Sequence, residues 1–454
     1  VGQTQCFDAF VVALSQACEG GKKRWYASTL ELQLASLDMC RACRGIATLN
    51  VRVADGTPTS LWYPHDAQTR PDTRGSKIGI SSRVPVVRAL RLTWALPMGY
   101  LVRTAVIELW ASSERLELMG SLCATSLASM FWPRGLTQLA FYASLGIPTH
   151  EVSWPIRLQS LSFRNFDQPI TGTVWPASLE RLFFGEQFNQ SIAEVVWPAS
   201  LQRLLFGQEF NQPLAGILWP TFLQRLTLGG FNQAIAAVVW PASLQQLSFG
   251  DRFNQPIAGV VWPASLQELT LGGEFNQPVA GVVWPRSLQQ LSLGAIFNQP
   301  IAGVVWPASL QELTLGGGFN QPVTGVVWPR SLQQLSFGAR FNQPIAGAAW
   351  PASLQQLSFG WQFNQPVVGV VWPTSLQRLL SLGARFNQPI AGVVWPASLQ
   401  RLSVGPDFNQ PIAGVVWPAA LQHLSFGCCF NQPLAGIVWP ASLQQLSFGS
   451  DFNQ

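Results

Sequence analysis

The side chains able to do chemistry are few in this 454-residue chain, and their spacing favours no particular reaction. Cys40-Arg-Ala-Cys43, with Cys6 and Cys18 upstream, has the C-x-x-C spacing that thiolates use to share a tetrahedral zinc ion. No second such pair follows, and this one falls on a stretch expected to be helical. Half-buried free thiols on a helix face are the simpler reading. Cys123 stands alone, while Cys428 and Cys429 adjoin in a variable turn. Seven cysteines without a disulfide framework favour a reducing compartment, so a cytoplasmic location is expected.

Acid–base chemistry has equally little to work with. His65, His150 and His423 lie far apart and without partners. Glu268 and Glu312 occupy equivalent positions two repeats apart, which places their backbones roughly 9–10 Å from one another. That is near the carboxylate separation of an inverting glycosidase. Gln290 stands between them, however, and no polar cluster surrounds them to raise a carboxyl pKa. The chain is expected to be non-catalytic, with no cofactor and no metal.

The elements that would position these residues are set by one feature. Trp-Pro occurs fifteen times, from Trp132 to Trp439, and eleven of the fourteen gaps between successive tryptophans are 22 residues. A fixed period in this range marks a solenoid, in which each repeat is one coil stacked on the next. In Leu244–Ser265 the opening L-x-x-L-x-F alternates with the period of a strand, so Leu247 and Phe249 share one face and Gln246 and Ser248 the other. Gly250 is expected to end the strand in a turn needing positive φ. Phe253 returns to the interior, Val260-Val261-Trp262 forms a second apolar run, and the Pro after each Trp holds that Trp extended. The fold class expected is mainly β: a solenoid with one short parallel strand per 22-residue coil, and with Trp262 and its equivalents stacked in a column.

Composition agrees. Charged residues are only 11% of the chain, well under the ~25% of ordinary soluble domains. Residues 132–454 carry 13 Arg against 12 acidic residues, and all three lysines lie outside them. Such an array lacks the clustered cations that nucleic-acid binding needs. The longest apolar stretch, Leu92 to Val102, is too short to span a bilayer.

Asn follows Phe in thirteen copies, from Asn189 to Asn453, with Asp167 as the exception. A column of amides bonding the backbone of adjacent coils explains this. Asn189-Gln190-Ser191 also reads as a glycosylation sequon, but a ladder Asn should be inaccessible, which makes the sequon accidental. L-x-x-L-x-[FL] followed by a turn and Asn resembles a leucine-rich repeat. F-N-Q-P-[IVL] after P-x-S-L closely resembles the FNIP repeat, a short leucine-rich-repeat variant found in long tandem arrays. It is also similar to the F-N-Q-P-L…W repeats of bacterial BspA-like surface proteins. The resemblance covers about Trp132 to Gln454 and implies a leucine-rich-repeat-like interaction scaffold. The constant Trp departs from many FNIP repeats, so no particular partner is carried over.

Three regions follow from this. Residues 154–454 form the tandem solenoid, cut off mid-repeat, and 110–153 form degenerate capping coils, with Leu116 and Leu118 in a decayed strand. Residues 1–109 lack the repeat; Ser28-Thr29-Leu30-Glu31 fits a capping box opening a helix through Leu34 and Leu37, and Thr48–Val53 reads as a strand. The chain begins at Val1 and stops halfway through a repeat, so both ends look cut, and a missing start could have carried a signal peptide. Self-association through the uncapped C-terminal end is expected.

Between copies, variation concentrates at the outward strand residue and at the turn pair before Phe. The former set includes Arg181, Arg203, Arg225, Glu268, Glu312, Arg378, Arg401 and His423, which become the candidate binding residues for a protein partner. Arg181, Arg203 and Arg225 are expected to form a cationic strip, with Glu180, Glu186 and Glu209 as available neutralising charges. An adhesive or glycan-binding array is the alternative; it would want exposed aromatics in a row, and only Trp361 leaves the tryptophan register. The 23-residue repeat, with Leu379-Leu380-Ser381-Leu382, should carry a β-bulge.

Overall fold

The computed structural model describes residues 29–33, 46–53, 87–94, 115–119, 132, 134–144 and 148–454. Two compact units divide the chain, Val1–Gly185 and Glu186–Gln454.

In the first unit, Thr29–Gln33, Ile46–Val53 and Val87–Trp94 are strands joined antiparallel in chain order. Pairing then turns parallel, from Val87–Trp94 through Arg115–Met119, Gln138–Ser144 and Ser160–Asn165 to Arg181–Phe183. The expected strand at Thr48–Val53 lies within Ile46–Val53. The expected helix does not start where the capping box placed it. Thr29-Leu30-Glu31-Leu32-Gln33 alternates with period two, and pairing from Thr29↔Arg52 to Gln33↔Thr48 supplies a ladder of backbone partners, more than a capping box offers. Leu34, Leu37, Cys6, Cys18, Cys40, Cys43, Cys123 and His65 lie outside the described residues.

In the second unit each coil contributes one strand of three or four residues. The first six are Arg203–Phe206, Arg225–Leu228, Gln246–Phe249, Glu268–Thr270, Gln290–Ser292 and Glu312–Thr314. Gln334–Ser336, Gln356–Ser358, Arg378–Ser381, Arg401–Ser403, His423–Ser425 and Gln445–Ser447 continue the series. Every neighbouring pair is parallel. This is a leucine-rich-repeat-like solenoid.

The coil from Leu244 shows how the repeat closes. Leu247 and Phe249 point inward from the strand and are buried, as are Phe253, Ile257, Val260 and Trp262. Three turns bend the chain between them: Phe253 N–H donates to Gly250 O at 3.2 Å, Val260 N–H to Ile257 O at 3.3 Å, and Leu266 N–H to Pro263 O at 3.1 Å. Gly259 adopts φ of 78°, as the third residue of a type II turn requires. Gly250 serves a different purpose from the one expected. Its φ is not positive; instead, a Cβ there would lie 1.4 Å from the carbonyl oxygen of Gly229 in the preceding coil. It is glycine because two backbones meet.

Stacking repeats each interior position along the axis. The Phe253 ring lies 6.1 Å from Phe275, and the same contact recurs to Phe297 and Phe319. Trp240 lies 6.3 Å from Trp262, and Trp284 6.2 Å from Trp306, with near-parallel rings. The Ser of P-x-S-L ties coils together, as where Ser265 Oγ donates to Leu244 O at 2.7 Å. The expected bulge is present: Leu357 pairs with Leu379 but Ser358 pairs with Ser381, passing over Leu380, so that Leu379 and Leu382 both stay buried.

Candidate interaction surface

The outward strand residues form two columns on one face of the ladder. In the second unit the register runs Arg203, Arg225, Gln246, Glu268, Gln290, Glu312, then Gln334, Gln356, Arg378, Arg401, His423 and Gln445. All twelve are exposed or half-buried. Two residues further along each strand a second column carries hydroxyls, among them Thr227, Ser248, Thr270 and Ser292. Arg181 belongs to the first unit, where it pairs with Ser160.

Charge along the column is patterned. Arg203 and Arg225 adjoin at one end, Arg378, Arg401 and His423 adjoin toward the other, and Glu268 and Glu312 lie between. Neighbouring strands are about 4.8 Å apart, so each basic cluster repels itself. Among the described residues no carboxylate pairs with Arg203, Arg225, Arg378 or Arg401. Glu209, a candidate to neutralise the first cluster, instead faces Arg252 at 3.4 Å. Gln290 separates the two glutamates, and Glu312 accepts a hydrogen bond from Gln334 Nε2 at 2.9 Å. Around the second cluster a depression of about 250 Å³ is lined by Arg401, Ser403, His423, Ser425, Gln445 and Ser447 over Leu379, Leu402 and Leu424. His423 Nδ1 is buried there without a protein partner. Among the described residues no group of three His, Cys, Asp or Glu side chains could hold a metal ion, and no helix is long and apolar enough to cross a membrane.

The Asn column is a hydrogen-bonded ladder. Asn276 N–H donates to Asn254 Oδ1 at 2.9 Å, and Gln277 Nε2 donates to the same oxygen at 3.1 Å and to Asn254 O at 3.1 Å. One acceptor amide thus serves two donors of the next coil, which explains why Asn and Gln recur together. The expectation that these amides are inaccessible is overturned: Asn254 is half-buried and Asn189 is exposed. The Phe before each Asn fills the interior, so the ladder runs along the rim outside it.

A surface feature went unread in the sequence. Val260-Val261-Trp262 is not one buried run: Val260 and Trp262 point inward while Val261 is 79% exposed. Its equivalents are exposed as well, forming an apolar stripe. The signal was available, because an extended segment before Pro must alternate its side chains.

Stacked coils of about 22 residues, one parallel strand each, with an amide ladder on the rim, define a leucine-rich-repeat-type solenoid. The chain carries FNIP repeats: the FNIP Repeat family model matches residues 231–274, 275–318, 319–360 and 386–429. Among solved structures it is similar to CroV588, described as a novel circular LRR protein structure, at 37% identity and a TM-score of 0.71. The match covers 81% of this chain and 57% of that one, so the chain spans little more than half of that protein's length. More distant are the Toll–Spatzle complex of Drosophila, with 14% identity, coverage of 77% and 51%, and a TM-score of 0.45, and the Leptospira interrogans LRR protein LIC12759, with 17% identity, coverage of 72% and 79%, and a TM-score of 0.33. No match was found among curated proteins.

Proposed function

We infer that the second unit is a non-catalytic scaffold that binds a protein partner along its strand face. Repeat solenoids of this type commonly serve protein interaction and are typically non-catalytic. The observation that carries the reading is the outward column itself: interior positions repeat almost unchanged, while charges at the exposed position are grouped into two basic clusters flanking an acidic middle. The clusters lie about eight strands apart, or on the order of 40 Å. A partner presenting acidic side chains at both ends of a surface that long, and a basic group between, is complementary to it.

Arg401 and His423, beside the depression, and Arg203 with Arg225 are the anchors of this reading. Glu268 and Glu312 set the polarity between them. Affinity capture with the full chain and with an Arg203→Gln/Arg225→Gln/Arg378→Gln/Arg401→Gln chain tests it. Partners retained by the first and lost by the second, at unchanged thermal stability, support the reading; an identical set of captured proteins rejects it.

A further inference from the structure

We propose that the apolar stripe of the second unit docks a second copy of this chain, row against row. Eleven large apolar side chains, from Val196 through Leu218, Val261 and Val305 to Val438, are each 78–85% exposed, and Ala349 occupies the remaining place in the row. They recur once per coil, each beside a tryptophan whose ring stacks 5.9–6.4 Å from the next where rings meet. Burying one such side chain removes on the order of 100 Å² of apolar surface from water, so the row presents on the order of 1,000 Å². The largest apolar patch of a typical monomer is about 300–600 Å². A standard protein interface takes about 800 Å² from each partner.

The spacing identifies the occupant. A row of β-branched side chains at one fixed interval is a half-interface whose gaps accept only another row with the same interval. A second copy carries the matching row by construction, and pairing a patch with itself is the commonest route to a closed dimer.

Charge gives the same answer. The residues flanking the stripe are Ala258, Gly259 and Ala264 and their equivalents, exposed and uncharged in nearly every coil. Glu194, Arg286 and Arg330 are the only charged residues at those places in the second unit. A charged or strongly polar partner would find nothing to pair with; an equally neutral row loses nothing by desolvation. The stripe also lies apart from the charged strand column, so both surfaces can be occupied together.

Sedimentation equilibrium of the full chain at micromolar concentration tests this, with Val283→Glu/Val305→Glu/Val327→Glu as the variant. These side chains are at least 78% exposed and support no interior contact, so the variant should keep the thermal transition of the parent. The parent is expected to sediment as a dimer and the variant as a monomer, its dissociation constant raised by roughly a hundredfold or more through like-charge apposition. Should the triple glutamate chain fail to fold, Val283→Thr/Val305→Thr/Val327→Thr, nearly isosteric but polar, must still weaken the dimer. A monomeric parent, or a dimer that neither folded variant weakens, overturns the proposal. The Arg-to-Gln chain used to test the strand face should dimerise like the parent, which separates failure of one surface from failure of the other.

Discussion

The backbone N–H of Asn254 donates to Oδ1 of Asn232 at 2.9 Å, one coil reading the side chain of the coil before it. Gln255 Nε2 reaches the same oxygen at 3.0 Å, so Asn232 holds two donors of its neighbour. Asn254→Leu removes the Oδ1 acceptor, stranding the Asn276 N–H at a half-buried rim and leaving Gln277 Nε2 only the Asn254 carbonyl. It should cost about 1–3 kcal/mol in denaturant unfolding. Asn254→Asp keeps an acceptor in place and should cost less, in keeping with Asp167 at the equivalent place. Equal losses for the two variants would show that the ladder acceptor is not what the position supplies.

Two glycines of the same coil should respond differently to alanine. Gly259 has φ of 78°, and a methyl group added there would meet only open space, so Gly259→Ala carries just the left-handed backbone penalty of about 1–2 kcal/mol. Gly250→Ala drives a methyl group into the Gly229 carbonyl and should lower the thermal midpoint considerably more. Conversely, Glu194 sits at φ of 62°, and Glu194→Gly should raise the midpoint. A Gly250→Ala chain as stable as Gly259→Ala would refute the close approach.

Deleting Leu380 should be tolerated. The residue is passed over when Ser358 pairs with Ser381, and without it the gap from Trp372 to Trp395 returns to the common 22-residue period. The expected outcome is a thermal midpoint unchanged or raised, whereas deleting Leu357, a buried strand residue, should lower it. A deletion of Leu380 that unfolds the coil would mean the bulge is required.

Thiol chemistry at Cys429 should be slow at neutral pH. The hydrogen-bonding contact with Cys428, whose Sγ lies 3.9 Å away, holds the Cys429 thiol above its ordinary range; partial burial and the charges of Cys428, Asp451 and Asp407 act in the same direction. A raised thiol pKa leaves less thiolate at a given pH. Alkylation of Cys429 should therefore lag an unperturbed thiol at mildly alkaline pH and catch up as pH rises further. Cys428→Ser/Asp451→Asn should shift the rate profile to lower pH; an unshifted profile would remove those neighbours as the cause.

Much of this architecture was legible because a fixed period dictates it. Leu247 and Phe249 alternate as a strand must, and the extra residue in Leu379-Leu380-Ser381-Leu382 announced its bulge. The amide ladder was legible from the recurrence of Asn, but its place on the rim was not, since recurrence does not say on which side of Phe253 the amide lies. Gly250 and Gly259 look alike in sequence; only the stacked backbone distinguishes a close approach from a left-handed turn. At Thr29–Gln33 a local helix signal lost to pairing with Ile46–Val53, a long-range contact that no short window contains. The exposed row at Val261 follows from alternation before Pro, although valine beside tryptophan has the composition of core. The candidate strand face follows residue by residue from variation between copies.

Whether the outward strand column of the second unit meets the partner is tested most directly by site-specific photo-crosslinking. A photoreactive side chain is placed at Gln290, at Gln356 or at Gln445, all in that column, and at Gln362 on a turn as the comparison. The full-length proteins are irradiated in extract from the source organism, and adducts are identified by mass. A partner seated on the strand face gives a shared non-self adduct from the strand positions and none from Gln362. The same adduct from Gln362 alone, with the strand positions unreacted, would contradict that placement.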